Sequence, residues 1–328
     1  MAFKLTELPK KDLPITSGHR VCAGCPEPMI IKQAILASKD PVVVGEATGC
    51  FEVSSCLFPY TSWNVNWYHN AFENAAAITS GMEAAYKALS KRGKVTEPIN
   101  FIAFAGDGGT YDIGFQALSG AMERGHRMLY ICMDNQAYMN TGIQRSGATP
   151  LGAWTTTCHV GKVQPGNVRA SLRKDIVSIM AAHDIAYAAQ ASLSHWNDFM
   201  RKVEKALTYD GPSFITVLAP CPRGWRFPAS ETVSIAKLAV ETGFWPLYEV
   251  DNGQWNVTFK PRELKPLEDF LKTQGRYAHL FKSEEGMQVI EHIKELLKYK
   301  LNYINHMADA TKGCEMNIFG RCALPDID

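Results

Sequence analysis

The chain has 328 residues, 46% hydrophobic and 20% charged, with a formal net charge of +1. That length suits one large α/β domain, or one domain with an appendage. The near-neutral balance, without long basic or acidic blocks, excludes nucleic acid and an anionic membrane as main partners. No run approaches the ~20 uninterrupted apolar residues that span a bilayer, and the first 20 residues lack a signal peptide's apolar stretch, so the expected compartment is the cytoplasm.

In chain order, a helix is expected from Pro26, a good first-turn residue, with Ile30, Ile31, Ala34 and Ile35 on its buried face. A short buried strand follows at 41–44. Asn70 with Glu73 three residues on reads as a capping box for a helix carrying Phe72, Ala75, Ala76, Met82, Tyr86 and Leu89, with Gly93 as terminator. The run 101–105 reads as a fully buried strand. Gly106-Asp107-Gly108-Gly109 comes next, then a helix with Phe115, Leu118 and Met122 and a strand at 128–133. Further strands are expected at 185–189 and 214–219, with helices at 176–182 and 196–207. Strands alternating with crossover helices imply an α/β fold: a parallel sheet covered on both faces, whose ligands sit beyond the carboxyl ends of the strands. After Gly224 the pattern changes to a helix at 234–241, a hairpin at 247–259 turning at Asp251-Asn252-Gly253, and helices at 266–273 and 287–307.

Gly106-Asp107-Gly108 sits between a buried strand and a helix, where backbone N–H groups and the helix's positive end face an anion such as phosphate. Asp107 is placed to hold a hard divalent cation, which takes oxygen ligands and bridges to phosphate. Asp134-Asn135 ends the next strand. Adjacent parallel strands end side by side, so Asn135 and the Ala137 carbonyl can meet the same cation. A tight turn is the plain alternative for Gly-Asp-Gly alone; the distant asparagine favours the cation. This arrangement resembles the thiamine-diphosphate signature, in which GDG and a downstream Asn hold Mg²⁺ and the diphosphate.

Nine cysteines in a reducing compartment point to metal or cluster ligation by some of them. Cys22 and Cys25 form a CxxC before a helix, where the helix terminus is expected to lower the thiol pKa. Cys50 and Cys221 follow strands at the same edge as Asp107 and Asn135. Four such thiols suit a [4Fe–4S] cluster or a four-cysteine zinc site equally. Cys56, Cys132 and Cys158 read as core or loop thiols, and Cys314 and Cys322 as free thiols.

Together these stretches resemble the β subunit of the pyruvate:ferredoxin oxidoreductases (pyruvate synthases), within the 2-oxoacid:ferredoxin oxidoreductase family. The resemblance is carried by CAGCPEP at 22–28, ATGC at 47–50, the WNVNWYHNAFEN run from 63, AFAGDGGTYDIG from 103, DNQAYMNTGIQRSGATPLGAW from 134 and APCPRGW at 219–225. It implies that Cys22, Cys25, Cys50 and Cys221 hold a [4Fe–4S] cluster, and that Asp107, Asn135 and the Ala137 carbonyl hold Mg²⁺. It places Gly106, Gly108 and Gly109 at the diphosphate of thiamine diphosphate, Glu27, Cys50 and Tyr138 beside the cofactor, and Asn140 at the reacting carbon. Pro26-Glu27-Pro28 replaces the family's usual Gly-Glu-Thr.

The resemblance further implies coenzyme A-dependent oxidative decarboxylation of a 2-oxoacid, with electrons passed to ferredoxin. Partner subunits would supply the pyrimidine side and a ferredoxin-like set of clusters. Residues 1–246 would form the thiamine-diphosphate-binding domain, with 247–328 a C-terminal extension or partner-binding arm. Arg145 and Arg223 are candidates for a carboxylate or coenzyme A phosphates, and His69 is left unassigned. Rival readings keep the chemistry on oxalate, 2-oxoisovalerate, 2-oxoglutarate or an aryl glyoxylate, replace it with a zinc-bearing thiamine lyase, or make the chain a non-catalytic relay or scaffold.

Overall fold

A computed structural model describes residues 3–4, 6–158 and 172–314. Its centre is an eight-stranded sheet ordered β2-β1-β3-β4-β6-β5-β7-β8. The strands are β1 (Val42–Ala47), β2 (Asn66–Asn70), β3 (Asn100–Gly106), β4 (Leu129–Asp134), β5 (Tyr187–Ser192), β6 (Ser213–Leu218), β7 (Leu247–Asp251) and β8 (Gln254–Phe259). The first six in that order pair in parallel, and β7 and β8 add antiparallel on β5.

The main helices are α1 (Glu27–Ala37), α2 (Cys50–Ser55), α3 (Ala75–Lys91), α4 (Phe115–Glu123), α5 (Ile176–Ala181), α6 (Trp196–Ala206), α7 (Pro222–Trp225), α8 (Thr232–Glu241), α9 (Leu267–Lys272) and α10 (Glu284–Ala310). None is long and apolar enough to cross a membrane.

Successive strand residues point to opposite faces, and the central strands are apolar on both. Ile102, Phe104, Ile131, Ile215 and Val217 face α1 and α6, which contribute Ile30, Ile31, Phe199 and Val203. Ala103, Ala105, Tyr130, Cys132 and Phe214 face the other way, against Ala76 of α3, Leu118 and Met122 of α4 and Val177 of α5. A third apolar cluster joins α7, α8, α9 and α10 through Trp225, Trp245, Phe270, Leu271, Ile290 and Ile293.

The α/β class and the parallel sheet covered on both faces are as expected. Asn70 is a correction. It ends strand β2 and pairs with Ala47, while α3 starts at Ala75 behind Asn74, without a side-chain cap. β2 is an edge strand with mostly exposed or half-buried residues, so it lacks the apolar run by which a buried strand is read. Gly93 does terminate α3, at φ 68°. The hairpin turns at Asn252 and Gly253, both at positive φ, and extends the main sheet, so the 247–328 stretch begins inside that sheet.

Cys132 is buried in β4, whereas Cys314 is disulfide-bonded instead of free. Cys322 lies outside the described residues.

Candidate functional site

The carboxyl ends of β1, β3 and β4 open into a cleft bordered by α2 and by the loop after β4. Glu27, Cys50, Gly106, Asp107, Gly108, Asn135, Ala137, Tyr138 and Asn140 all line it. Gly109 stands just behind, where an added Cβ would meet the Phe72 carbonyl at 3.1 Å. Gly108 is required by packing: its Cβ would lie 2.3 Å from the Tyr138 ring. After Asp107 the chain makes one wide π-type turn, Gly108–Asp112, before α4 begins at Phe115.

Asp107 is buried and accepts a hydrogen bond from the Ser146 hydroxyl. The Asn135 amide atom nearest to it lies 2.8 Å from Asp107 Oδ1 and 2.7 Å from the Ala137 carbonyl oxygen. With the amide nitrogen there, Asn135 would donate to both. With the oxygen there, it meets the Asp107 and Ala137 oxygens at contact distance, an arrangement relieved by a cation or by a proton on Asp107, whose carboxyl burial holds well above the usual range. Ligands at right angles around Mg²⁺, each ~2.0–2.1 Å from it, are themselves ~2.9 Å apart. The second orientation also turns the Asn135 nitrogen toward Glu27 Oε1, at 3.4 Å; the first would set an amide oxygen against that carboxylate.

Among the described residues the cleft is lined by the carboxylates of Glu27, Glu46, Glu52 and Asp107 and by no Lys, Arg or His. Burial raises Glu27 to about 7, against hydrogen bonds from Asn135 and Cys25 that lower it. It also holds Glu46 well above the usual carboxylate range, although Trp67 Nε1 donates to it at 2.8 Å. Glu52 faces His69 Nδ1 at 2.5 Å. Such a pocket favours a cation and a positively charged ring over a bare anion.

The four cysteines gather at the same edge. Cys22 and Cys25 occupy a turn before α1, closed by a bond from the Cys25 N–H to the Cys22 carbonyl at 3.0 Å. Gly24 there has φ 75°, and a Cβ would run into the Ala229 carbonyl. Cys50 opens α2, and Cys221 caps α7 by accepting from the Gly224 N–H at 3.3 Å. Their charges act on one another: Cys50 and Cys221 on Cys25, Cys22 and Cys221 on Cys50, Cys22 on Cys221.

The expected fall in thiol pKa is corrected. Burial first, and the Glu27 charge among the other causes, push Cys25, Cys50 and Cys221 up, so a thiolate there needs a metal. Among the described residues, Glu52, Cys56 and His69 form the one trio of Cys, His or acidic side chains with ligand atoms within 4.8 Å of one another. No three of the four thiols are that close, whereas tetrahedral zinc requires sulfurs about 3.8 Å apart.

Several side chains escaped the sequence reading. Ser146 holds Asp107, and Thr149 donates to the Gln136 carbonyl at 2.8 Å. Arg173 pairs with buried Asp134 at 2.8 Å, and Glu46 and Glu52 line the cleft. Glu46 had a legible signal, a lone carboxylate inside the apolar run from Val42 to Ala47. Arg145 and Arg223 lie outside the cleft lining.

The sequence matches the family described as "Thiamine pyrophosphate enzyme, C-terminal TPP binding domain" over residues 47–217. It is 52% identical to pyruvate synthase subunit PorB of Thermotoga maritima, over 93% of this chain and 95% of that one. It is 53% identical to the subunit of the same name from Methanocaldococcus jannaschii, over 84% and 91%. Ketoisovalerate oxidoreductase subunit VorB of Pyrococcus abyssi is 44% identical, over 84% and 88%. In fold the chain is similar to a 2-oxoglutarate:ferredoxin oxidoreductase from Magnetococcus marinus, with a TM-score of 0.53 and 16% identity over 69% of this chain and 79% of that one. The chain thus belongs to the thiamine-pyrophosphate-binding subunits of the multi-subunit 2-oxoacid:ferredoxin oxidoreductase family, the family of pyruvate synthase subunit PorB.

Proposed function

We propose that this chain binds thiamine diphosphate through Mg²⁺, carries a [4Fe–4S] cluster beside it, and oxidises pyruvate with coenzyme A as acyl acceptor and ferredoxin as electron acceptor. The observation that carries the reading is the place of the Asn135 side-chain amide, 2.8 Å from Asp107 Oδ1 and 2.7 Å from the Ala137 carbonyl oxygen, where its oxygen can share one cation with them. These three would hold the cation, and the chain at Gly106, Gly108 and Gly109 would lie along the diphosphate. Bound there, the thiazolium supplies an electron sink for the carbon that loses CO₂.

This chain's own residues set the surroundings. The Asn140 amide, at the exposed rim of the cleft, would donate to the substrate oxygen that gains charge. Glu27 and the Cys50 segment would border the cofactor, and Tyr138 is held by donating to Asp112 Oδ2 at 2.8 Å. Cys22, Cys25, Cys50 and Cys221 would ligate the cluster, a reading supported by the mutual electrostatic influence of their thiols beside the cleft. The cleft is open, so a partner subunit would close its pyrimidine side, and further clusters on another chain would carry electrons to ferredoxin. Pyruvate is favoured over 2-oxoisovalerate because the relatives named for pyruvate are 46–53% identical, against 44% for the ketoisovalerate subunit.

The test is viologen reduction by the anaerobically purified complex with coenzyme A and a panel of 2-oxoacids. The expected result is fastest turnover on pyruvate. Preference for another oxoacid would overturn the substrate. No reduction with any of them, despite bound iron and thiamine, would overturn the catalytic reading.

A further inference from the structure

The loop that presents Asn135 and Ala137 is irregular, and its middle residue, Gln136, has φ 70°. A residue with a Cβ adopts that conformation when its surroundings enforce it. Here the enforcing contacts are specific. The Asn135 carbonyl accepts from Trp225 Nε1 at 2.8 Å. The Gln136 side-chain oxygen accepts from Arg276 Nη2 at 2.8 Å. The Arg276 guanidinium lies 3.6 Å over the Trp225 ring, and its Nε donates to Gln274 at 2.9 Å.

Both side chains are fully buried, Trp225 at 0% and Arg276 at 2% exposure. Among the described residues no carboxylate lies within 4.0 Å of Arg276. Among the described residues the guanidinium meets two amide oxygens, the Trp225 indole face and, 4.9 Å away, the Tyr277 ring; such a buried charge is a poor device for stability, since apolar packing would serve as well or better. Trp225 also ends the turn opened by Cys221, and its N–H donates to the Cys221 carbonyl at 2.8 Å. One indole therefore ties the turn of the fourth cysteine to the loop of Asn135.

We propose that Trp225 and Arg276 act as one positioning unit, fixing residues 135–137 so that the Asn135 and Ala137 oxygens face Asp107 before a cation arrives. This rests on the Mg²⁺ reading above and deepens it: affinity for the ion is set by two residues that do not touch it. One of them comes from beyond residue 247, and the other from the turn that carries Cys221.

The experiment uses the whole complex, stripped of thiamine diphosphate and Mg²⁺ with a chelator under anaerobic conditions, and measures retained thiamine diphosphate against added Mg²⁺. Trp225→Phe keeps the stacking face and removes one hydrogen bond, so half-saturation should move to ~3–10-fold higher Mg²⁺. Arg276→Gln should give a similar shift. The double variant should fall well short of the product of the two, because the residues act as a unit. Iron and sulfide content should stay at the wild-type level, and Trp255→Phe, a buried indole in the hairpin, should leave the Mg²⁺ requirement unchanged.

Wild-type Mg²⁺ dependence in both single variants would overturn the proposal, as would a fully multiplicative double variant. If Arg276→Gln does not assemble, Trp225→Phe decides alone. Retention of thiamine diphosphate by the wild type irrespective of Mg²⁺ would instead overturn the underlying metal reading.

Discussion

Asp107 is 1% exposed. Burial, and then the charge of Asp134, hold its carboxyl well above the usual range, against the Ser146 hydrogen bond and the more distant Arg173. Its neighbour Asp134 has its own cation, Arg173 at 2.8 Å; no described residue forms an ion pair with Asp107 within 4.0 Å. A carboxylate in that position opposes folding until a cation joins it.

Asp107→Asn should therefore leave the melting temperature of the cofactor-stripped complex unchanged or higher. It should also abolish the stabilisation that Mg²⁺ with thiamine diphosphate gives the wild type, about 2.7 kcal/mol at a hundredfold excess over Kd. Thermal melts with and without both ligands check this. A destabilised variant that still responds to the ligands would contradict it. At this scale the sequence was informative where a residue type is chemically unusual for its position, as with Asp107 and Asn135 at strand ends. It was silent on Ser146 and Thr149, ordinary hydroxyls whose value lies in where the loop returns.

Strand β1 shows how an element places the site. Its carboxyl end carries Glu46 and Ala47 into the cleft, and α3 packs over it at Gly45. A Cβ there would lie 2.2 Å from Thr79 Oγ1 and 3.3 Å from the end of Met82. Thr79 cannot turn aside cheaply, because it is fully buried and bonded to the Ala75 carbonyl at 2.8 Å.

Gly45→Val should lower the stability of the chain by ~1–3 kcal/mol, the cost of overpacking a filled core, read as a shift in the denaturant midpoint. An unchanged midpoint would show that α3 can move off β1. The central strands were legible because both faces are apolar, which leaves continuous runs such as 101–105. β2 was not, because an edge strand with one polar margin carries neither such a run nor a clean alternation, and its terminal Asn70 resembles a helix cap as much as a strand end. The helix expected after Gly106-Asp107-Gly108 does follow, but by way of one wide π-type turn, Gly108–Asp112, where Gly114 packs against the Gly109 carbonyl before α4 starts.

Across the whole molecule, the cleft is assembled from pieces far apart in sequence. Glu27 and Asn135 are 108 positions apart, and Gln136 and Arg276 are 140. Parallel topology explains why the first kind of pairing was foreseeable: strand ends share an edge, so motifs that follow strands converge. Arg276 follows no strand and belongs to a short turn beyond the hairpin, so nothing in its neighbourhood announces a contact with the loop after β4. The same topology brings the four cysteines to the edge that holds Asp107, which sets the cluster and the thiamine side by side in the proposed reading.

The most direct test of that reading is a structure of the anaerobically purified complex, at a resolution that separates ions from waters and with anomalous data at the iron and zinc edges. The account predicts a cation ~2.0–2.1 Å from Asp107 Oδ1, Asn135 Oδ1 and the Ala137 carbonyl, bridging to a diphosphate, with iron at Cys22, Cys25, Cys50 and Cys221. An Asn135 amide nitrogen hydrogen-bonded to Asp107 in place of that cation, or a single zinc among the four cysteines, would contradict it.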